Sequence, residues 1–476
     1  MAQMASQRWR WESWSSMPLA HAAPLPVPSS MQRSIYVYNL PSRWNADVDS
    51  MVTMKHGAYL KADRIIYDLL QSSDARATSP REAQFFFVPI FFGSLGNRSS
   101  SRRSSRLDDV DAALAALSEA APHAWPSQRA KHVFVVTLDR GRCFQDDLRD
   151  RFGDATVLMY EGTEAYPGGK RLPFACHRRS SDVVIPPVVD AGAHAVQARV
   201  PEIASPVGKA FPWSFFTHRK WLGVWRGSDS RMQWADKANV ASVKAGAAVG
   251  AAAGVAAAHP PQGTEEPESV AGVNVRQQLL QLYGHAAKHS RKGAHAESTG
   301  GNGRTGSSSS SAVAATTTAT TATAAAATTE QPRASSMELL VSSHKLEHAM
   351  HFAEMRQSVF CLCPVGWAQW TVRFFESVQM GCVPVTFAPR VSPRPLRMPF
   401  DDTLDYSSFS INVPPDDLAS LQQTLVVIAS NRTRLRALQK ALWHVRPLLD
   451  WTDLSAHGAF HRMLEALHQR RTSAMP

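Results

Sequence analysis

The stretch from Ser358 to Val385 constrains this chain more than any other. It reads as strand, Gly/Pro turn, helix, strand. The run from Val359 to Cys363 is short, apolar and closed by Pro364, the pattern of a parallel strand buried on both faces. Thr371 stands at a cap position before a helix that carries Val372, Phe375 and Val378 on one face. Arg373 and Glu376 are three apart, so they are neighbours on another face. Gly381 closes the helix, and Val383 to Phe387 opens the next strand. In open α/β sheets, ligands bind beyond the carboxyl ends of strands and beside helix N-termini. The turn Pro364–Gly366 occupies that place. From spacing alone, Arg373 and Glu376 also fit an ion pair on a solvated helix face.

The chain has 476 residues, enough for two or three domains, and its 44% hydrophobic content allows a sizeable core. Its net charge of +11 suits a polyanion or a nucleotide diphosphate. Arginines spread over loops such as 98–106 equally serve to solvate a surface. No Lys/Arg block is interleaved with aromatics, so no nucleic-acid partner is expected. None of the five cysteines has CxxC spacing, and no histidine pair accompanies them, which argues against a zinc site.

The segment resembles the nucleotide-sugar half of the exostosin family of glycosyltransferases. That family runs Phe-Cys-Leu, Pro and Gly, then Ser-x-Arg-x-x-Glu, then Gly-Cys-x-Pro-Val. This chain supplies Phe360, Cys361, Leu362, Pro364, Gly366, Arg373, Glu376, Gly381, Cys382, Pro384 and Val385. Thr371 replaces the family's serine and keeps a hydroxyl there. The resemblance extends, in order, over most of 34–227 and 338–465. Ser34 to Pro41 is similar to the opening strand, with Asn39 for Asp. Arg76 to Phe92 resembles an Arg, Pro, Glu-Ala and Phe-Phe-Val-Pro block, with Ser79 and Gln84 at the two Asp positions. Lys131 to Cys143 retains His132, Asp139, Gly141 and Cys143. Ser181 to Pro187 matches a further block, with Ser181 for Lys. Met398 to Ser410 matches another, with Tyr406 for Trp.

The expected architecture is α/β of GT-B type: two Rossmann-like domains facing a cleft. Residues 1–33 read as a disordered N-terminal segment. Residues 34–227 read as the acceptor-side domain, with Trp221 to Arg226 as a strand of its sheet. Residues 228–336 are dominated by Ala, Gly, Ser and Thr and read as disordered insertions in the connection, interrupted by a short helix near 273–285 that carries Arg276. Residues 337–470 read as the nucleotide-sugar-binding domain.

The resemblance implies inverting transfer of a sugar from a nucleotide sugar, a UDP-sugar first of all, to a glycan or glycoprotein hydroxyl. No cofactor and no obligate metal are expected, because helix amides and Arg can meet the leaving charge. For the donor site the expectations are Gly366 for close backbone approach, Arg373 for the diphosphate, Glu376 for the ribose hydroxyls, and Arg226 for the diphosphate or acceptor. Arg226 also reads as a structural salt bridge. Asp139 and His132 are the candidates for the general base, each with a structural alternative, and His56, Glu161 and Asp182 stay open. Trp367 and Trp370 flank the turn as stacking or packing residues. In a secretory compartment two disulfides and one free thiol fit, and we expect Cys143–Cys176 and Cys361–Cys382. Five reduced thiols are the alternative.

By resemblance the location is Golgi membrane or lumen, in homo- or hetero-oligomers with a related transferase. Residues 1–30 nevertheless show no run near the ~20 apolar residues of a membrane span and no signal-peptide core. A catalytically inactive partner or glycan-binding subunit is the alternative function, favoured by the departures at Asn39, Ser79, Gln84 and Ser181.

Overall fold

A computed structural model describes residues 24–45, 61–93, 103–138, 141–143, 151–164, 177–189, 211, 216, 219–227, 271–284, 337–344, 346–365, 369–389 and 396–474. Two parallel sheets organise them. The first contains β1 (Ile35–Val37), β2 (Phe85–Phe87), β3 (His132–Val136), β4 (Thr156–Met159) and β5 (Val183–Val184), side by side in chain order. The second contains β6 (Trp221–Arg226), β7 (Leu339–Ser342), β8 (Ser358–Leu362), β9 (Val383–Thr386) and β10 (Ile411–Asn412). Its order is β10-β9-β8-β6-β7. This is the two-domain GT-B arrangement.

In the first sheet, alternation along each strand sends side chains to two cores. Phe86, Phe134, Val136, Val157 and Met159 pack on one face with Val110, Ala113 and Leu117 of α2 (Arg103–Ala120). Ile35, Val37, Phe85, Phe87, Val133, Val135 and Leu158 pack on the other with α1 (Ala62–Gln71). α1 presents Ala62, Ile66, Leu69 and Leu70, an i, i+4, i+7, i+8 stripe. That second face belongs to a core continuous with the second domain.

The second sheet is covered by α3 (Ala271–Tyr283), α4 (His348–Arg356), α5 (Val372–Gln379), α6 (Leu421–Ser430) and α7 (Arg432–Val445). α3 seats Val275 and Leu279 in the core, and the Tyr283 hydroxyl donates to the Leu418 carbonyl (2.7 Å). The last helix, α8 (Ala459–Ala474), returns to the first domain and packs on β5 and on the turn Ser29–Met31.

Two expectations are corrected. Residues 24–33 are part of the fold. Leu25, Val27 and Met31 are buried, the Leu25 amide donates to Ser72 O (2.8 Å), and His461 Nε2 on α8 donates to Pro26 O (2.8 Å). Residues 1–23 lie outside the described ones. Trp221–Arg226 does not join the first sheet: β6 lies inside the second, with Val224 opposite both Leu340 and Cys361. A strand buried on both faces has the same apolar composition in either sheet, so only its pairing assigns it.

Cys361 and Cys382 form a disulfide that ties β8 to the start of β9, and Cys363 is a buried free thiol. Cys143 is also disulfide-bonded. Its expected partner, Cys176, lies outside the described residues.

Candidate donor site at the strand-order reversal

From β6 the chain crosses to β7 on one side, then returns to β8 on the other. The strand order therefore reverses between β6 and β8, the place where open α/β sheets set a ligand crevice, at the carboxyl ends of these two strands. β6 ends there with Arg226, and β8 runs there into Cys363, Pro364 and Val365. Gly366 and Trp367 lie outside the described residues.

α5 begins beside this turn. Thr371 is extended (φ −145°, ψ 133°), but its hydroxyl makes no capping bond, contrary to expectation. The amides of the first turn keep no side-chain cap, and the positive end of the helix faces the crevice. Arg373 sits in that turn. Its Nε is buried and makes no hydrogen bond. Burial pushes the guanidinium pKa down, while the Glu376 carboxylate favours its charged form. This is a charge partly withdrawn from water, not the solvated ion pair that the spacing also allowed. Burial raises the Cys363 thiol to about 11, so it is neutral at physiological pH.

Arg226 is fixed by a two-pronged contact with Glu354 of α4: Nε donates to Oε2 (2.7 Å) and Nη2 to Oε1 (2.6 Å). One turn earlier on the same helix face stands His351, both of whose ring nitrogens are buried without a hydrogen bond. Its pKa is driven down to about 3, first by burial and then by the charges of Arg373, His348 and Arg226. From α3, Arg276 Nη2 donates to the carbonyl of Pro364 (3.3 Å) and so props the turn from behind. His351 and Glu354 were not legible as site residues, since they belong to no motif. Their only signal was the i, i+3 spacing in the helix before β8.

The first domain meets this site through the carboxyl end of β4. Tyr160 packs edge-on against Trp370 (5.1 Å between centroids). Beyond it Gly162 O accepts from the Arg397 amide (3.0 Å), and a Cβ on Gly162 would lie 1.9 Å from Arg397 O.

The proposed bases divide. His132 leaves the candidate site. It is fully buried at the first position of β3, on the face covered by α2, and stacks on Tyr38. Its Nδ1 donates to Gln128 O (2.9 Å), which leaves Nε2 to accept from the Tyr38 hydroxyl (3.0 Å). Burial depresses its pKa. Asp182 leaves as well. Both of its oxygens are taken by Arg142 (2.5 and 3.1 Å), with further bonds from the Val157 and Arg178 amides, and neither side chain is exposed. Glu161 is fully buried, with Oε1 taken by the amide and hydroxyl of Thr163. Asp139 and His56 lie outside the described residues. Among the described residues no group of His, Cys, Asp and Glu side chains gathers as a metal site, and no helix is long and apolar enough to cross a membrane.

Residues 29–209 and 272–428 match the Exostosin GT47 domain. The chain belongs to the exostosin GT47 family. The break between the two matched stretches, 210–271, contains β6 and the approach to α3. The chain is 26% identical over 449 residues to a "Probable glucuronoxylan glucuronosyltransferase" of Arabidopsis thaliana, covering 92% of this chain and 72% of the relative. A "Probable glucuronosyltransferase" of Oryza sativa subsp. japonica is 25% identical over 431 residues, covering 86% and 72%. A second Arabidopsis protein with the first one's name is 24% identical over 453 residues, covering 92% and 76%. As an exostosin GT47 protein, this chain is a glycosyltransferase, and the strand-order reversal between β6 and β8 is its candidate donor site.

Proposed function

We propose that this chain transfers a sugar from a UDP-sugar to a hydroxyl of a polysaccharide, with inversion at the anomeric carbon. The relatives' names make UDP-glucuronate the first donor to test and a xylan-type chain the first acceptor. The observation that carries the reading is Arg373: a partly buried cation with an unpartnered Nε, in the first turn of a helix whose positive end faces a strand-order reversal.

The acceptor oxygen attacks the anomeric carbon on the face opposite the diphosphate. The bond from that carbon to the diphosphate oxygen breaks, and UDP leaves with the electron pair. Arg373, the α5 amides and Arg226 stabilise the leaving charge, without an obligate metal. Glu376 accepts from the ribose hydroxyls, and Gly366 admits the phosphate to the backbone. The acceptor proton passes to a base from the first domain, for which Asp139 and His56 remain of the sequence candidates. The two disulfides fit an oxidising compartment, and with the family resemblance they support a Golgi location.

The test is binding and turnover across a panel of UDP-sugars with xylan oligosaccharides, with and without EDTA. EDTA-insensitive turnover of one donor, giving the inverted linkage by NMR, is expected. A folded protein that binds no donor would instead be an inactive, glycan-binding partner.

A further inference from the structure

His351 is the residue of the crevice that neither the motif nor the fold accounts for. Both of its ring nitrogens are buried without a hydrogen bond, and an imidazole withdrawn from water normally satisfies at least one. His132 in the first domain satisfies both, whereas His177 beside β5 shares the unbonded state but has carboxylates, Asp182 and Glu164, among its neighbours. The cations that act on His351 are Arg373 from α5, His348 on its own helix and Arg226 from β6. The nearby carboxylates are committed elsewhere. Glu354 is spent on Arg226, and Glu376 acts on Arg373. Cys363 is a neutral thiol, and β8, which also packs on α4, brings no charged side chain. Arg219 donates to Arg356 O at the far end of α4. Burial first, and these cations second, oppose a protonated His351, so the ring is neutral and able to accept.

A dianionic diphosphate entering between Arg226 and Arg373 reverses that balance. It screens the two guanidinium groups from the imidazole and offers oxygens to its nitrogens. Resting on the donor-site reading above, we propose that His351 is a third, proton-dependent ligand of the donor diphosphate, neutral in the empty enzyme and protonated when the diphosphate is bound. The enzyme then gains one positive charge together with its substrate. The proton comes from solvent on binding and returns to it when UDP leaves. A group whose pKa is raised by binding strengthens affinity at low pH, and that gain is lost as pH rises through the bound-state value.

The experiment is calorimetry of UDP binding between pH 5.5 and 8.5, in buffers of different ionisation heat. Wild type is compared with His351→Gln, which keeps a polar amide but cannot take the proton. UDP's own phosphate titration is common to both proteins and cancels in the comparison. Wild type is expected to take up more protons per bound UDP than the variant, by a difference approaching one. Its affinity advantage should shrink as pH rises, by up to about tenfold per pH unit. His351→Asn serves as a second comparison should the glutamine variant fail to fold. Equal proton uptake, or parallel pH profiles, would overturn the assignment of His351. Absence of UDP binding to wild type at any pH would overturn the donor-site reading itself, and this inference with it.

Discussion

Two buried clusters, one beneath each sheet, treat their polar groups differently. In the first, the Arg142 guanidinium and the Asp182 carboxylate are fully buried and fully answered: Arg142 donates to Asp182, Gly153 O and Ala155 O, and Asp182 also accepts from backbone amides. In the second, Arg373 and His351 carry buried nitrogens that nothing in the protein answers. The two clusters stand in different places in their sheets, although His177 beside β5 also keeps both ring nitrogens unbonded. The first sheet runs β1 to β5 without reversing, so its described strands leave no crevice between diverging crossovers. The second reverses between β6 and β8, and its unanswered groups stand at that reversal. Satisfied buried charge holds a fold together, whereas unsatisfied buried charge at a crevice is arranged for a ligand.

That contrast can be broken experimentally. Asp182→Ala should have the largest effect on stability, a loss of about 3–5 kcal/mol, because it strands a buried guanidinium. Chemical denaturation measures it, and a loss below 1 kcal/mol would mean that the pair is not structural. Arg373→Ala should do the reverse. UDP affinity should fall by about 30- to 150-fold, equivalent to roughly 2–3 kcal/mol for a charged hydrogen-bonding group, while the melting temperature moves little. Similar stability losses from both variants would erase the distinction between the sheets.

Gly162→Ala tests the contact between the domains. Its Cβ would overlap Arg397 O, so a loss of about 1–3 kcal/mol in stability is expected, with reduced turnover as the cleft is displaced. Glu354→Gln should have the smallest effect. It weakens the two-pronged hold on Arg226, so donor KM should rise by about tenfold with stability nearly unchanged. An unaltered KM would leave Arg226 as a purely structural partner of Glu354.

Stability should also respond to pH in a direction that the buried histidines fix. His351, His132 and His177 have folded-state pKa values lowered from 6.5, chiefly by burial. The unfolded chain therefore binds more protons below about pH 6.5, and stability should fall as pH drops through that value. A flat urea midpoint between pH 7 and 5 would contradict this.

The donor half was legible because its residues are contiguous. Strand, turn and helix follow one another in fewer than thirty residues of sequence, so Pro364, Arg373, Glu376 and the Cys361–Cys382 pair could be read from local pattern and resemblance. Arg142 and Asp182 are forty residues apart, and no local signal distinguishes a carboxylate that anchors a guanidinium from one that accepts a proton. His132 sits in a matched block, yet its partners Tyr38 and Gln128 come from different parts of the chain. The packing of α8 against residues 24–33 joins the two ends of the chain and is invisible to any window along it.

The sequence by itself determined the family, the α/β class and the order of strands and helices, because these follow from apolar periodicity, turn residues and contiguous motifs. Only the tertiary structure decided that β6 stands beside β8, that Arg226 is held by Glu354, and that His351 joins Arg373 at the crevice. The first two facts depend on burial and hydrogen bonding between segments that the sequence keeps more than a hundred residues apart, and the third on how two separate helices pack on the sheet.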